Sequence, residues 1–337
     1  MNIAVLGATG VVGSTMISIL EERKFPVDTL YPLASHRSAG ETVLFKKKAL
    51  IVEDVEEFDF SKVKIALFSA GGETSAKYVP KAVDAGCIVI DNTSRFRLEE
   101  DVPLVIPEVN AERIADYSLR NIIANPNCST LQMLVALKPI YDAVGITRIN
   151  VATYQAVSGT GKAAVSELIE QVGELLNGRS VTGEIYPKQI AFNVLPYIGG
   201  FQDNGYTQEE MKMHLETQKI LNDPSIQVNA TAVRVPVLYG HSEVLHIETN
   251  RKITAEAARA LLYQAPGIIV MDEHNPDGYP TPIPEASGTD AVYVGRIRED
   301  FSHPLGLNLW VVSDNVRKGA ALNAVQIAEI LVNEYLL

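Results

Sequence analysis

Short apolar runs and helix-spaced apolar positions alternate along the first third of the chain. Residues 2–6 form an apolar run that ends at Gly7, and residues 11–23 carry apolar positions at helical spacing. Further strand-like runs lie at 27–34, 64–69 and 87–90. Strands that alternate with helices and read as continuous apolar runs predict a parallel sheet covered on both faces, as in a Rossmann-type α/β domain.

The pattern changes to longer strands from about residue 146. These strands are predicted at 146–157, 226–238, 243–250, 291–298 and 306–313, with helices at 160–177 and 206–221. Such a series predicts a second, α+β domain with a mixed or antiparallel sheet. The last helix, 315–335, is expected to return to the first domain. We therefore predict a dinucleotide-binding domain formed by 1–127 together with 315–337, and a catalytic and oligomerisation domain formed by 128–314.

Length and composition agree with two folded domains and narrow the classes of partner. The chain has 337 residues, of which 47% are apolar and 21% charged, and its formal net charge is −12. That charge disfavours nucleic-acid binding, since the one basic run is the short Lys46–Lys48 segment. No signal-type segment or membrane-length apolar run is visible, and two dissimilar cysteines favour a reducing compartment. We expect a cytoplasmic protein with no membrane or nucleic-acid partner.

A glycine-rich segment joins the first strand to the first helix. It reads Gly7-Ala8-Thr9-Gly10-Val11-Val12-Gly13. Glycines at such a turn let a pyrophosphate approach the helix N-terminus, which favours a dinucleotide cofactor. The first glycine spacing departs from the usual fingerprint, so a plain strand-to-helix turn is the alternative.

The end of the second predicted strand indicates which dinucleotide binds. An NAD-selective site usually has an acidic residue there, whereas this chain has Ser35, Arg37 and Ser38. A guanidinium group and two hydroxyls suit a ribose 2′-phosphate, which favours NADP. Arg37 as an ordinary surface charge is the alternative.

Cys128 lies where a reactive cysteine is expected. The segment Asn125-Pro126-Asn127-Cys128-Ser129-Thr130 follows an apolar run and precedes a helical pattern. A helix N-terminus favours a thiolate, and its free N–H groups can bind an oxyanion. Cys87 instead lies within the apolar sequence Gly-Cys-Ile-Val-Ile, which is typical of an inert buried thiol.

His241 and Arg234 are further candidates for chemistry. An activated cysteine needs an acid or base partner, and His241, which begins a predicted strand with Glu243 on the same face, can supply it. A structural histidine is the alternative. Arg234 lies among Ala and Val residues, where its planar fork suits a carboxylate; a structural ion pair is its alternative. No histidine has metal-ligand spacing, so no metal is expected.

Seven segments in order resemble the aspartate-semialdehyde dehydrogenase family, and the resemblance covers essentially the whole chain. They are Gly7–Gly13, Asn92–Arg97, Asn125–Thr130, Tyr154–Gly159, Glu209–Lys212, Arg234–Pro236 and Gly240–Ser242. The neighbouring family, N-acetyl-γ-glutamyl-phosphate reductase, usually has glycine at the position of Asn127.

The resemblance implies a role for each matching residue. Cys128 forms the acyl-enzyme, His241 is the acid/base, and Gln155 orients the reacting carbonyl. The substrate and phosphate ligands implied are Arg95, Asn127, Glu209, Lys212 and Arg234, of which Glu209 pairs with the ammonium group and Arg234 with the α-carboxylate. The cofactor contacts implied are Gly7, Thr9, Gly10, Val11, Val12, Gly13, Ser35, Arg37, Ser38, Ser158, Gly159 and Asn315. Arg97 competes with Arg95 as the phosphate ligand, and Glu209 with Lys212 also fits a surface ion pair.

The implied reaction is the NADPH-dependent reductive dephosphorylation of L-aspartyl 4-phosphate to L-aspartate 4-semialdehyde, in lysine, threonine, methionine and diaminopimelate biosynthesis. The rivals are an N-acetyl-γ-glutamyl-phosphate reductase-like enzyme and a non-catalytic dinucleotide-binding protein. A homodimer or homotetramer is expected, because the second domain's sheet has more apolar face than its two predicted helices can cover.

Overall fold

The computed structural model describes residues 1–336 and shows two compact units. One unit comprises Met1–Asn127 and the chain from Ala320 onward, and the other comprises Cys128–Gly319. No helix of the described chain combines the length and the apolar character that crossing a membrane requires. The functional domains predicted above remain a prediction.

The first unit is built on a six-stranded parallel sheet. Its elements in chain order are β1 (Asn2–Leu6), α1 (Val11–Glu22), β2 (Thr29–Ala34), β3 (Thr42–Phe45), β4 (Lys48–Ile51), β5 (Glu53–Asp54), β6 (Ile65–Phe68), α2 (Gly72–Asp84), β7 (Ile88–Asp91), α3 (Pro107–Asn110) and β8 (Ile122–Ala124). The strand order is β5-β2-β1-β6-β7-β8, and β3 and β4 form a separate hairpin. Strands β1, β6 and β7 are almost fully buried, which explains their continuous apolar sequence.

The second unit is built on a six-stranded mixed sheet. Its elements are α4 (Cys128–Val144), β9 (Ile146–Gln155), α5 (Lys162–Leu176), α6 (Gln208–Leu221), β10 (Gln227–Arg234), β11 (His241–Thr249), α7 (Ala255–Gln264), β12 (Ile268–Val270), β13 (Val292–Glu299) and β14 (Gly306–Ser313). The strand order is β10-β9-β11-β14-β13-β12, with parallel pairs only at the two edges.

One face of this mixed sheet carries helices. Helix α4 packs on the central strands, α6 packs on β10, and α7 packs on β12 and β13. Side chains alternate along β11, so Glu243 and Leu245 are buried while His246 is exposed. The opposite face retains exposed or half-buried apolar side chains, including Tyr154 and Trp310.

The last helix returns to the first unit. Helix α8 (Asn323–Ile330) is followed by a wider π-helical stretch over Leu331–Leu336. Ile327 and Leu331 belong to the same buried apolar cluster as Ile3 and Ile19. The C-terminal segment therefore completes the core on which the parallel sheet rests.

The predicted fold class, a Rossmann-type parallel sheet with an α+β domain, is confirmed. Several elements were not predicted: the β3–β4 hairpin, helix α7, and the short elements β5, α3 and β12. The predicted strands and helices otherwise lie within a few residues of the observed ones.

Candidate active site

The glycine-rich segment forms a tight turn between β1 and α1. Gly7 has φ of +88°, a left-handed conformation that side chains rarely adopt. A Cβ atom on Gly13 would lie 2.1 Å from the Gly7 carbonyl oxygen, so the helix can approach the turn only with glycine there. The turn leaves the start of a 12-residue helix, with Thr9, Gly10, Val11 and Val12, open to an anionic group. This cradle fits a dinucleotide pyrophosphate.

The segment after β2 lies beside that turn. Leu33 of β2 pairs with Leu6 of β1, and the Gly7 N–H donates to the Leu33 carbonyl at 2.9 Å. Ser35 and Arg37 follow and are exposed, whereas Ser38 is half-buried. The two hydroxyls and the guanidinium group of these residues therefore lie at the same edge of the parallel sheet as the glycine turn.

Arg95 and Arg97 have different environments in the loop after β7. Arg97 is buried, and its guanidinium group donates to the carbonyls of Asn125 at 2.8 Å and Asn92 at 2.7 Å. Arg95 is exposed and pairs with Glu99 at 2.8 Å. Arg97 therefore holds two loops together, which leaves Arg95 as the arginine able to reach a solvent-borne anion.

Cys128 is the first residue of α4, and Asn127 before it is buried. Neither Cys128 nor Cys87 forms a disulfide. Cys128 is partly accessible, whereas Cys87 is fully buried, and burial raises the pKa of its thiol to about 12. The two thiols thus have the contrasting environments expected from the sequence.

A line of buried hydrogen bonds connects α4 to α6. The Gln155 side-chain amide donates to Ser129 Oγ at 2.5 Å and to Glu209 Oε1 at 3.1 Å. Glu209 Oε2 accepts from Lys212 Nζ at 3.0 Å. Glu209 is buried, so its pair with Lys212 is not the plain surface pair that the spacing alone suggests.

His241 is fully buried at the start of β11. Its Nδ1 accepts from the Ala156 N–H at 3.0 Å, which assigns the ring proton of the neutral form to Nε2. Burial, with a smaller contribution from the nearby charge of Arg234, lowers the pKa of His241 to about 3, while Glu209 acts in the opposite direction. His241 is therefore neutral near pH 7.

Arg234 lies beside His241, and no described residue supplies a carboxylate partner for it. One guanidinium nitrogen donates to the Ala156 carbonyl at 2.7 Å, and the side chain is 5% exposed. Among the described residues it forms no ion pair, and its Nε has no hydrogen-bond partner. A Cβ atom on Gly159 would lie 3.0 Å from Arg234 and 3.2 Å from His241 Nε2. Glycine at this position therefore lets the main chain approach both side chains closely.

Ser158 and Asn315 interact with each other. The Asn315 amide donates to Ser158 Oγ at 3.0 Å, and its carbonyl oxygen accepts from the Gly240 N–H at 2.9 Å. Both were predicted as cofactor contacts. The structure shows in addition that Asn315 holds the main chain immediately before His241.

The structure brings together most of the predicted residues of the second unit. His241, Arg234 and Gly159 are neighbours, and Gln155 joins Ser129 to Glu209. The sequence did not reveal the roles of Ser129 or of the Ala156 main chain, because both depend on contacts between distant segments. Glu243 was noted only for sharing a face with His241.

Models of two protein domains match the chain. Residues 2–117 match the semialdehyde dehydrogenase NAD binding domain, and residues 137–318 match the semialdehyde dehydrogenase dimerisation domain. Together with the Rossmann-type sheet and the cysteine at a helix start, they define a semialdehyde dehydrogenase with a nicotinamide-dinucleotide-binding domain and a dimerisation domain.

Whole-chain relatives specify the family further. An aspartate-semialdehyde dehydrogenase of Legionella pneumophila is 64% identical and aligns with 100% of this chain and 97% of its own length. One of Bacillus subtilis is 51% identical over 98% of this chain and 97% of its own length. The crystal structure of aspartate semialdehyde dehydrogenase II from Vibrio cholerae, complexed with ASA, has 60% identity and a TM-score of 0.97, covering 99% and 98% of the two chains.

The chain belongs to the aspartate-semialdehyde dehydrogenase family. The predicted family and enzyme class, an NAD(P)-dependent phosphorylating aldehyde dehydrogenase of amino-acid biosynthesis, are thereby confirmed over the two rivals.

Proposed function

We propose that the residues assembled in the second unit carry out the family reaction, with Cys128 as nucleophile and L-aspartyl 4-phosphate as the biosynthetic substrate. The observation that carries the proposal is the environment of Arg234. A buried guanidinium group without a carboxylate partner is costly, and a bound α-carboxylate would supply that partner. Glu209, buried nearby, is the proposed partner of the substrate ammonium group.

Cys128 attacks the acyl phosphate in the first proposed step. The N-terminus of α4 favours the thiolate and offers N–H groups to the oxyanion that forms on the substrate carbonyl. Gln155, fixed by Ser129 and Glu209, orients that carbonyl. Phosphate then leaves, and the acyl group remains on Cys128 as a thioester. NADPH, when bound, supplies the hydride that reduces this thioester.

His241 is the proposed acid/base group. In the observed tautomer its Nε2–H can donate a hydrogen bond toward the space beside Gly159. To take up a proton at Nδ1, the ring must give up the hydrogen bond that Nδ1 accepts from Ala156. To take one up at Nε2, the ring proton must first move to Nδ1, which breaks the same hydrogen bond. Proton transfer through His241 therefore requires a local change of hydrogen bonding at Ala156.

Arg95, Lys212 and Asn127 are the proposed phosphate and substrate ligands. Arg95 is favoured over Arg97, since the guanidinium group of Arg97 is engaged by two main-chain carbonyls. Lys212 is held by Glu209 and keeps donors for an anion.

NADP(H) is the proposed cofactor. A structure of the aspartate semialdehyde dehydrogenase of Candida albicans with NADP has 27% identity to this chain and a TM-score of 0.77, covering 100% of this chain and 99% of that one. Arg37, Ser35 and Ser38 supply donors for a 2′-phosphate, and Ser158, Gly159 and Asn315 are proposed on the nicotinamide side.

Replacing Arg37 tests the cofactor assignment. Arg37→Ala should narrow the preference for NADP over NAD by about 1 to 3 kcal/mol, because one charge-assisted contact is lost. The change should come mainly from a higher KM for NADP, measured in parallel titrations with both cofactors. Lys47→Ala, another exposed cation of the same unit, is the control. An unchanged cofactor ratio would make Arg37 a surface charge.

The assembly and place of action also belong to the proposal. The matched dimerisation domain supports a homodimer, or a homotetramer built from it, acting in the cytoplasm without nucleic-acid or membrane partners. Lysine, threonine, methionine and diaminopimelate biosynthesis are the proposed routes that use the product.

One assay tests the proposed reaction directly. Purified protein with aspartate semialdehyde, phosphate and NADP should form NADPH, and omission of phosphate should abolish the signal. N-acetylglutamate semialdehyde is the matched substrate control, since its acetylated amine cannot pair with Glu209. Turnover of the acetylated substrate alone would overturn the proposed specificity.

A further inference from the structure

Glu243 is a buried carboxyl group in the centre of the mixed sheet. It lies on β11, paired with Thr153 of β9 on one side and Val311 of β14 on the other. Its side chain is on the helix-covered face, as are those of His241 and Leu245. Its exposed fraction is 0%, and the apolar side chains of Leu245 and Val311 beside it are also fully buried.

The carboxyl group lies against the start of α4. Burial raises the pKa of Glu243 well above the ordinary carboxyl value, while the nearby side chains of Gln132 and Ser129 act in the opposite direction. Within residues 1–336, neither carboxyl oxygen has a partner at standard hydrogen-bond geometry. The side-chain amide of Gln132 and the hydroxyl of Thr153 are also buried, and within the described residues they too have no hydrogen-bond partner at standard geometry.

Stability does not explain this group of polar side chains. A buried carboxyl or amide without a well-formed hydrogen bond costs free energy, and apolar side chains of similar size would pack here at lower cost. Natural sequences depart from such packing rules mainly at functional sites. The polar group lies directly under the helix whose first residue is Cys128.

Ser129 links Glu243 to the proposed active site. Ser129 follows Cys128 in the first turn of α4, and its Oγ accepts the hydrogen bond from the Gln155 amide at 2.5 Å. Gln155 in turn donates to Glu209. A displacement of Ser129 would therefore move both the start of the nucleophile helix and the amide proposed to orient the substrate.

We propose that Glu243 is a positioning residue for the reaction, which holds the first turns of α4 through Gln132 and Ser129 and thereby fixes Cys128 and Gln155. It touches no substrate in this role. The inference rests on the proposed role of Cys128.

Two substitutions at Glu243 separate positioning from packing. Glu243→Gln keeps a hydrogen-bonding group of the same shape, so kcat should stay within about threefold of wild type. Glu243→Leu removes the polar group, so kcat should fall about tenfold or more with a smaller change in KM, since misplaced reacting groups slow chemistry more than binding. Alkylation of Cys128 by iodoacetamide should slow in Glu243→Leu as well.

Leu245→Ala is the matched control, since Leu245 is fully buried on the same strand and face. It should lower Tm yet leave kcat and Cys128 alkylation unchanged well below the melting temperature. Gln132→Leu removes the helix-side partner and should reproduce the loss of kcat, which keeps the test valid if Glu243→Leu does not fold.

Three outcomes would overturn the inference. They are a folded Glu243→Leu protein with kcat within about twofold of wild type, an equal loss of kcat in Glu243→Gln and Glu243→Leu, and unchanged kcat in Gln132→Leu. Failure of the proposed function looks different, because the wild-type protein itself would then show no phosphate-dependent turnover.

Discussion

At the scale of single residues, the two cysteines show how position determines thiol chemistry. Cys128 begins a 17-residue helix and is partly accessible, whereas Cys87 is enclosed by apolar neighbours at the start of β7. A helix N-terminus stabilises a thiolate, and apolar burial destabilises it. Brief treatment with iodoacetamide should therefore label Cys128 first, as peptide mass spectrometry can show, and substrate should protect it.

The matching substitutions should differ in their effects. Cys128→Ala should remove nearly all turnover, because no nucleophile remains to form the thioester. Cys87→Ala should retain turnover and lower the free energy of unfolding by about 1 kcal/mol through lost packing. Preferential labelling of Cys87, or substantial turnover by Cys128→Ala, would contradict the mechanism and leave the fold unaffected.

His241 should make stability depend on pH in a defined direction. Its folded pKa of about 3 lies below the ordinary 6.5, so the unfolded chain binds a proton first as the pH falls. The stabilisation from a neutral His241 is thus present above about pH 6.5 and is lost progressively as the pH falls through about 3.

Between about pH 7 and about pH 5, the contribution of His241 to the free energy of unfolding should fall by about 2 kcal/mol. This value follows because pH 5 lies about 1.5 units below the ordinary histidine pKa. Urea unfolding at both pH values measures it. His241→Asn, whose side-chain oxygen can still accept from Ala156, should remove this part of the pH dependence. An equally steep loss in His241→Asn would assign the effect to other groups.

At the scale of elements, helix α6 shows how a local sequence signal places the side chains proposed as substrate ligands. Thr207 and Glu210 form a capping box, in which the Thr207 N–H donates to Glu210 Oε2 at 2.7 Å and the Thr207 hydroxyl accepts from the Glu210 N–H. Glu210 also accepts from the Ala232 N–H of β10 at 3.0 Å. The beginning of the helix, which carries Glu209 and Lys212, is therefore held both by its own cap and by the sheet.

Removal of the cap should cost stability and loosen the beginning of the helix. Thr207→Ala should lower the free energy of unfolding by about 1 kcal/mol, because the Glu210 N–H loses its acceptor. Thr207→Ser keeps that acceptor and is the control. Chemical denaturation measures both, and equal stability of the wild-type protein and Thr207→Ala would show that the sheet contact alone fixes the helix start.

The elements that the sequence predicted differ physically from those that it did not. Strands such as β6 are buried on both faces and read as unbroken apolar runs. Helix α7 buries mainly Ala258 and Leu262, which is too short a stripe to stand out. The β3–β4 hairpin exposes Leu44 and Ile51, so its pattern does not follow burial. Periodicity reports burial, and it fails where burial is slight.

The site was predictable to a similar extent. Cys128 and His241 could be named as candidates from the sequence because each lies next to an element boundary that the pattern reveals. The bond between Gln155 and Ser129 could not, since it joins residues 26 positions apart on different elements. The environment of Arg234, with no carboxylate partner within the described chain, likewise emerges only from tertiary contacts.

At the scale of the whole molecule, the uncovered face of the mixed sheet indicates how copies of the chain associate. Val244 lies on this face, paired with Ala152 and Trp310 on the neighbouring strands. Trp310 also contacts the ring of Tyr154, with centroids 5.8 Å apart. A partly exposed apolar row of this kind on a chain with a matched dimerisation domain is expected to be covered by a second copy.

Light scattering should accordingly give a mass of at least twice 36.7 kDa at micromolar concentration. Val244→Glu should shift the protein toward the monomer, because a two-fold interface would bury the same new carboxylate from both copies, at a cost of several kcal/mol. Leu119→Glu, at an apolar side chain of the first unit that is 64% exposed, is the control and should leave the mass unchanged. A wild-type mass near that of one chain would contradict the prediction. An oligomer that survives Val244→Glu would instead show that copies associate through another surface, since a charge placed on a face that stays in solvent costs almost nothing.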